Sequence, residues 1–305
     1  VPWNAEMFLT ATKVGPALAA GNTVVIKASE EAPAPLLEFA DVVHEVGFPP
    51  GVINLITGFG EPCGRALTSH PLVNRVAFTG GVETARRVVE NTARNFAHLS
   101  LELGGKSPIL IFDDADLEGA VNGAVAGNFG ASGQSCVAGS RVFVQAGIHD
   151  EFLEMLIRRA EAIRIGDPLH EDTQMGPLAT EAQRDRIEAV VAESREQGAT
   201  VHTGGKRPEG FDTGWYFEPT VLGCDSQSIR STQVELFGPV MSVLTFKSEE
   251  EAVAMANDSV FGLGAGVFTT DVGRAHRVAK AVRSGIVWVN TYRAISPVAP
   301  FGGFG

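Results

Sequence analysis

The amino-acid sequence predicts an α/β protein with open, mostly parallel sheets. Short β-branched segments alternate with longer amphipathic segments along the chain, and this alternation is typical of βαβ units. Prolines and glycines stand between the segments, where helices begin and end. Hydrophobic residues make up 44% of the 305 residues, which is enough for a substantial core. In such sheets, ligands bind beyond the carboxyl ends of the strands.

The first half of the chain contains three predicted helices and five predicted strands. Asn4 is expected to cap a helix over residues 5–20, which Gly21 ends. The segment PAPLLEFADVVHEVG indicates a second helix that starts at a proline and stops at Gly47. A third helix is expected over residues 82–95. The predicted strands are NTVVIKA, GVINLIT, VNRVAFTG, HLSLELGG and SPILIF.

The second half repeats the alternation with longer helices. Helices are predicted near residues 116–127, 150–163, 181–197, 249–257 and 271–282, and strands over residues 142–145, 239–246, 264–268 and 286–290. The glycine pair in LELGGKSP, Gly104 and Gly105, offers the best hinge between two domains. The predicted domains are therefore residues 1–104 and 105–305.

Composition limits the partners of the chain. A net charge of −12 argues against nucleic acid or an anionic membrane surface as the main partner. No apolar run approaches the roughly 20 residues that span a bilayer. Three widely spaced cysteines without metal-ligand spacing indicate a reducing, cytoplasmic location and no metal site. The abrupt ends, VPWNAEMF and PFGGFG, suggest an internal segment of a longer chain.

One cysteine, Cys136, lies among small residues in the stretch ASGQSCVAGSR. A buried structural cysteine usually sits in an apolar run, whereas a reactive one needs access. Gly133, Ala138 and Gly139 are expected to leave that room. Cys63 and Cys224 are interpreted as packing residues.

A thiolate that attacks a carbonyl needs oxyanion donors and a group that handles protons. The Asn4 amide and the backbone N–H of Cys136 are candidate donors. Glu102 ends a strand in an apolar run, so its pKa is expected to rise toward that of a useful base. A helix cap for Asn4 and an edge-strand salt bridge for Glu102 are equally compatible with the sequence.

Three strand-to-helix turns suggest phosphate and ribose contacts. The turn TGFGEPCG departs from the usual glycine spacing, and a plain βα turn is the simpler interpretation. FTGG can present helix N-terminal amides to a phosphate. In KASE, a carboxylate at Glu30 can accept both ribose hydroxyls and repel a 2′-phosphate. A solvated pair between Lys27 and Glu30 is the alternative.

The motifs PWN, KASE, FTGG, LELGGKSP, GQSCVAGSR, ELFGPV, NDSVFGLGAGVFT and PFGGFG occur in that order across the chain. Together they resemble the NAD(P)-dependent aldehyde dehydrogenase superfamily of the hydrolytic, non-acylating type. The resemblance implies a Rossmann-like cofactor domain, a catalytic domain and a small oligomerisation element. It implies a homodimer or homotetramer, and family chains that extend beyond both ends of this one.

The resemblance also implies roles for individual residues. Cys136 matches the nucleophile, Asn4 the side-chain oxyanion donor and Glu102 the base that activates water. The family's FTGS is FTGG here, so Gly81 keeps only its backbone N–H and weaker NAD binding is expected. NAD is preferred over NADP because of Glu30. The expected cofactor contacts are Trp3, Lys27, Ser29, Glu30, Gly60, Phe78, Gly80, Gly81, Thr84, Leu103, Glu235 and Phe237.

The aldehyde itself is not predicted from the sequence. Arg293 is a candidate for an anionic substrate tail, although a solvated or interface arginine is commoner. Two alternative functions remain: a CoA-acylating semialdehyde dehydrogenase, which usually lacks the glutamate found at Glu102, and a non-catalytic NAD-binding homologue. Candidate residues of the aldehyde tunnel are Ala5, Leu9, Thr12, Ser135, Val137, Arg293, Ile295 and Phe301.

Overall fold

The computed structural model describes residues 1–296 and 298–305. The chain divides into two compact units, Val1–Leu103 and Gly104–Gly305. Strands and helices alternate in both units, and nearly all strand pairs are parallel, so the predicted α/β class is confirmed. The assignment of one unit to the cofactor and the other to catalysis stays a prediction.

The first unit contains two separate pairs of parallel strands. The pair β1–β2 aligns Lys27 with Ile56, and the pair β3–β4 aligns Thr79 with Glu102, so the strands of each pair end side by side. Its elements are α1 (Glu6–Ala19), β1 (Val24–Lys27), α2 (Ala34–Val46), β2 (Ile53–Ile56), α3 (Arg65–Thr68), β3 (Arg75–Thr79), α4 (Val82–Thr92) and β4 (His98–Glu102).

The first helix begins later than the sequence suggests. Ala5 occupies the N-cap with φ −162° and ψ 47°, and no side chain caps the helix. The prediction that Asn4 caps it is therefore wrong, because the backbone leaves helical geometry at Ala5 and Asn4 lies in the preceding turn. At the other ends, Gly21 and Gly47 take the left-handed conformation after α1 and α2, as expected of terminating glycines.

The second unit is built on one seven-stranded sheet of order β11–β10–β5–β6–β9–β8–β7. All neighbours are parallel except β7 and β8. Its elements are β5 (Pro108–Ile111), α5 (Leu117–Phe129), β6 (Arg141–Gln145), α6 (His149–Glu161), α7 (Glu181–Glu196), β7 (Thr200–Thr203), β8 (Thr220–Gly223), α8 (Arg230–Gln233), β9 (Val240–Phe246), α9 (Glu249–Asn257), β10 (Gly264–Phe268), α10 (Val272–Ala281) and β11 (Ile286–Val289).

The central strands of this sheet are buried on both faces. Leu110 belongs to one core cluster, whereas Ile109 and Ile111 belong to another, and all three side chains have no exposed surface. A sheet covered on both sides explains why these strands are continuous apolar runs. Among the described residues, no helix combines the length and the apolar character needed to cross a bilayer.

Candidate active site

Cys136 follows a short segment of unusual backbone conformation. After α5 ends at Phe129, Ala131, Ser132 and Gly133 have φ values of 57°, 53° and 73°. Left-handed residues other than glycine are uncommon and store strain, which the surrounding structure must offset. The Ser132 hydroxyl donates to the Gly176 carbonyl at 2.9 Å, and the Ala179 N–H donates to Gln134 Oε1 at 2.9 Å. The segment before the cysteine is thus fastened to residues 176–179.

Small residues around Cys136 serve packing within the protein. A Cβ on Gly133 would overlap the backbone at Gly238 and Pro239, and one on Gly139 would overlap Ile109. The prediction that these glycines leave room for substrate is therefore wrong, because their space is already filled by other parts of the chain. Cys136 itself is half-buried.

The glycine pair of LELGGKSP brings two functional candidates together. A Cβ on Gly105 would overlap the carbonyl oxygen of Cys136, and one on Gly104 would overlap the carboxylate of Glu235. The Gly105 N–H also donates to Glu235 Oε1 at 2.9 Å. Only residues without side chains allow the cysteine loop and Glu235 to approach this backbone so closely.

Glu235 is a carboxylate held in a largely desolvated position. Burial raises its pKa, and the hydrogen bond from Gly105 and the charge of Lys106 partly offset that effect. Next to it, Phe237 has a left-handed φ of 57°. The Gln183 side chain of α7 donates to the carbonyls of Leu236 and Phe237. This helix therefore fixes the backbone that carries both predicted cofactor contacts.

Lys106 is a buried cation that the sequence reasoning missed. Its side chain is 1% exposed, and no acceptor among the described residues lies within hydrogen-bonding distance of Nζ. Burial and the nearby Arg141 lower its pKa to about 7, whereas Glu235 and Cys224 act in the opposite direction. The sequence offers one signal for such a lysine: Lys106 stands between the glycine pair and, after Ser107, the apolar strand β5.

In the first unit, Glu102 is the last residue of β4. It is half-buried, and its backbone carbonyl accepts from the Gly80 N–H at 3.1 Å. Burial raises its pKa, and the charge of Lys13 acts against that rise. The predicted upward shift is confirmed. A raised pKa suits a carboxylate that takes a proton near neutral pH.

The KASE and TGFG turns meet at the carboxyl ends of β1 and β2. Lys27 Nζ donates to the Ala28 carbonyl at 2.7 Å and to Glu30 Oε2 at 3.1 Å. Burial tends to raise the pKa of Glu30, but backbone N–H donors, including that of Gly60, and Lys27 lower it overall. Glu30 is thus ionised at neutral pH, beside Lys27 and Gly60. The Ser29 hydroxyl accepts from the Glu31 N–H at 3.3 Å.

The FTGG turn joins β3 to α4. Gly81 is the N-cap without a side-chain cap, so the first amides of α4 are available to a ligand. Thr84 is exposed in the first turn. The Phe78 ring packs so closely on Gly80 that a Cβ there would lie 2.7 Å from Phe78 Cζ.

The residues of these turns fit a dinucleotide. A Cβ placed on Gly60 or Gly81 would meet no atom within 4 Å, so open space lies beside both backbones. Ionised Glu30 is suited to accept ribose hydroxyls, and the amides of α4 are suited to a pyrophosphate. Among the described residues, no group of three or more histidine, cysteine and acidic side chains is placed to hold a metal ion.

The remaining predicted contacts are more dispersed. Trp3 and Asn4 are half-buried in the turn before α1, Leu9 is half-buried within that helix, and exposed Thr12 donates to the Leu9 carbonyl at 3.0 Å. Leu103, at the end of its unit, is also half-buried.

In the second unit, the predicted substrate contacts divide between the core and the surface. Ser135 is half-buried, whereas Val137 is 4% exposed and belongs to the core. Arg293 Nη1 donates to the Ala126 and Gly130 carbonyls at 3.4 and 3.3 Å, at the end of α5. Ile295 and Phe301 are exposed. The roles assigned to these residues stay predictions.

Comparison with known proteins places the chain in a family. The chain belongs to the Aldehyde dehydrogenase family, whose pattern matches residues 1–305. It is 56% identical, over its whole length, to the (Z)-2-((N-methylformamido)methylene)-5-hydroxybutyrolactone dehydrogenase of Acinetobacter baylyi, of which it covers 62%. It is 45% identical to the betaine aldehyde dehydrogenase of Brucella melitensis over 99% of the chain and 62% of that protein.

The fold of the chain is also similar to that of a solved structure. The betaine aldehyde dehydrogenase of Staphylococcus aureus in complex with NAD⁺ superimposes with a TM-score of 0.97 at 43% identity, covering 99% of this chain and 60% of that one. The chain thus spans about 62% of the length of the curated relatives that it matches. The resemblance predicted from the eight sequence motifs is confirmed.

Proposed function

We propose that this protein oxidises an aldehyde to a carboxylic acid with NAD, through a thioester on Cys136. The observation that carries the proposal is the cysteine loop of the second unit. A half-buried cysteine follows a strained segment, and its carbonyl packs on the same glycine pair that holds Glu235. Strain and close backbone packing at a potential nucleophile are features of functional sites.

The reaction begins when the Cys136 thiolate attacks the aldehyde carbon. The carbonyl oxygen becomes an oxyanion, which needs fixed hydrogen-bond donors. The backbone N–H of Cys136 and the side-chain amide of Asn4 take this role. Asn4 is half-buried in the turn before α1, and its assignment as the oxyanion donor follows from the resemblance to the family.

The cofactor supplies the electron sink, because NAD accepts the hydride that leaves the substrate carbon. Glu30 and Gly60 would hold the adenosine ribose, and the α4 amides at Gly81 would hold the pyrophosphate. Glu235, oriented by Gly105, would hold the nicotinamide ribose. Loss of the hydride leaves a thioester on Cys136.

Glu102 then takes a proton from water, and the hydroxide attacks the thioester and releases the carboxylic acid and the Cys136 thiolate. Glu102 afterwards returns its proton to solvent. Desolvation makes Glu102 a stronger base than an exposed glutamate. Its presence favours hydrolysis over transfer of the acyl group to a CoA thiol.

The first substrates to test are the aldehydes and lactones that appear in the names of the similar proteins. A panel should contain betaine aldehyde, a hydroxybutyrolactone, and short, aromatic and carboxylated aldehydes. We expect a cytoplasmic homodimer or homotetramer, and sedimentation of the purified protein measures the oligomeric state.

Two variants separate the halves of the mechanism. Cys136→Ser should lose both the initial burst of NADH and steady turnover, because an alcohol near its free pKa is a poor nucleophile. Glu102→Gln should keep much of the burst but lose turnover by roughly 10²–10⁴-fold, the scale of a positioned general base. Rapid mixing with saturating NAD and aldehyde, followed by mass spectrometry of the adduct, measures both. Cys63→Ser is the matched control.

The pH profile adds a second readout. Turnover should rise with pH through the raised pKa of Glu102, above the ordinary glutamate value of 4.5, and this acid limb should vanish in Glu102→Gln. Normal turnover of Glu102→Gln would contradict its role as the base. An adduct retained in Cys136→Ser would contradict the thioester.

A further inference from the structure

A buried tyrosine lies beside the cysteine loop. Tyr292 follows β11, is 9% exposed, and packs against Trp288 with ring centroids 4.8 Å apart and ring planes inclined at 52°. A Cβ on any of three glycines would crowd its ring: the distances would be 2.7 Å at Gly127, 3.2 Å at Gly139 and 2.7 Å at Gly266. The ring thus fills a space bounded by α5, the segment after Cys136 and β10.

The hydroxyl of this tyrosine makes a specific polar contact. It donates to the Val137 carbonyl at 3.0 Å, one residue after Cys136. Burial raises the pKa of Tyr292 well above its ordinary value, so the phenol remains a donor at every pH where the protein is assayed. The bond is buried, so its removal leaves a carbonyl without that donor away from water.

We propose that Tyr292 is a positioning residue for Cys136, whose hydroxyl fixes the backbone of the nucleophile loop. The proposal rests on the function proposed for Cys136. Two consecutive carbonyls of this loop are held from outside: that of Cys136 packs on Gly105, and that of Val137 accepts from Tyr292.

The strain before the cysteine explains why such a fixing contact matters. Ala131 and Ser132 are held in left-handed conformations that their side chains disfavour. Without contacts on the far side of Cys136, this loop can relax, and the Sγ atom and the Cys136 N–H lose their fixed directions. Small displacements of reacting groups reduce rates steeply.

The test is Tyr292→Phe, which removes the hydroxyl and keeps the ring in its glycine-lined space. The chain has only two tyrosines, and the second provides a matched control. Tyr216 is equally buried at 9% exposure, and its hydroxyl donates to the Gly166 carbonyl at 3.2 Å. Tyr216→Phe therefore removes a comparable hydrogen bond away from the cysteine loop.

Tyr292→Phe should slow the NADH burst by roughly tenfold, the effect of one buried hydrogen bond, with an unchanged KM for NAD. Tyr216→Phe should keep the burst rate. The melting temperatures of the two variants should be similar, which separates positioning from stability. A burst rate equal to that of the unmodified protein, or an equal loss in both variants, would overturn the proposal.

A second readout needs neither cofactor nor aldehyde. The rate at which iodoacetamide alkylates Cys136, followed by peptide mass spectrometry, should fall by a similar factor in Tyr292→Phe alone. If the protein oxidises no aldehyde but this rate still falls, the proposed function fails and the role of Tyr292 stands. If oxidation proceeds and neither rate changes, only the role of Tyr292 fails.

Discussion

Adding one methyl group at Gly104 should weaken NAD binding without unfolding the protein. The new carbon would overlap the Glu235 carboxylate, whose carboxyl carbon would lie 2.7 Å away. The backbone of Gly104 does not have a positive φ, so alanine can adopt it. The atoms in the way belong to the far end of the Glu235 side chain, which can rotate aside when its hydrogen bond to Gly105 breaks.

The size of the effect follows from the contact that this rotation breaks. Glu235 would lose the hydrogen bond from the Gly105 N–H, which measures 2.9 Å and involves a charged acceptor. Such bonds contribute about 1.5–3 kcal/mol. If that energy orients Glu235 toward the nicotinamide ribose, KM for NAD should rise roughly 10- to 150-fold.

The assay measures KM and Kd for NAD, the melting temperature, and the KM for aldehyde. Gly147→Ala is the control, because its added Cβ would meet no atom within 4 Å. Gly105→Ala should behave differently, since its Cβ would overlap the Cys136 carbonyl, which cannot rotate aside. We expect that variant to lose turnover and stability together. Unchanged NAD binding in Gly104→Ala would refute the role given to Glu235.

Two further predictions concern other carboxylates. Glu30→Gln should narrow the preference for NAD over NADP by roughly tenfold in kcat/KM, because the like charge facing a 2′-phosphate is removed; a native preference for NADP would contradict this role. Asp114 accepts bonds from residues 269–271 and from Arg274, and these donors outweigh burial and lower its pKa below its ordinary 3.8. Its contribution is therefore present at neutral pH and lost as pH falls through the folded-state pKa, so Asp114→Asn should reduce the free energy of unfolding at pH 7 by about 2 kcal/mol. Exposed Asp113→Asn should change it little in urea titrations, and equal losses in both variants would contradict the prediction.

The sequence predicted the fold well where apolar periodicity is strong. The strongly amphipathic helix expected near residues 271–282 is Val272–Ala281 in the structure. The strands β7 and β8 are not among the predicted elements, because TVHT contains one apolar residue and TVLG contains two, too few for a clear strand pattern. In these segments the pairing with neighbouring strands, rather than an apolar pattern, fixes the extended conformation.

The sequence predicted the site by residue type but not by contact. The motif order predicts roles for Cys136, Glu102 and the cofactor turns, because these residues occur in recognisable strings, and these roles stay predictions. Tyr292 and Lys106 gave no comparable signal, since their importance depends on what surrounds them in the fold. The same limit explains the error at Gly133: a small residue leaves space, and only the tertiary structure decides what fills that space.

Two carboxylates with raised pKa values compete for the role of general base, and their hydrogen bonds distinguish them. Glu235 accepts a hydrogen bond from the Gly105 N–H and lies near the buried charge of Lys106. Both interactions stabilise its ionised form, and the hydrogen bond fixes its orientation. For Glu102, the rise in pKa caused by burial is opposed by the charge of Lys13. A carboxylate tied to a backbone amide is poorly suited to turn toward water, whereas it is well suited to hold a ribose. Glu235→Gln should therefore raise KM for NAD and keep the acid limb of turnover, and disappearance of that limb in this variant would transfer the base role from Glu102 to Glu235.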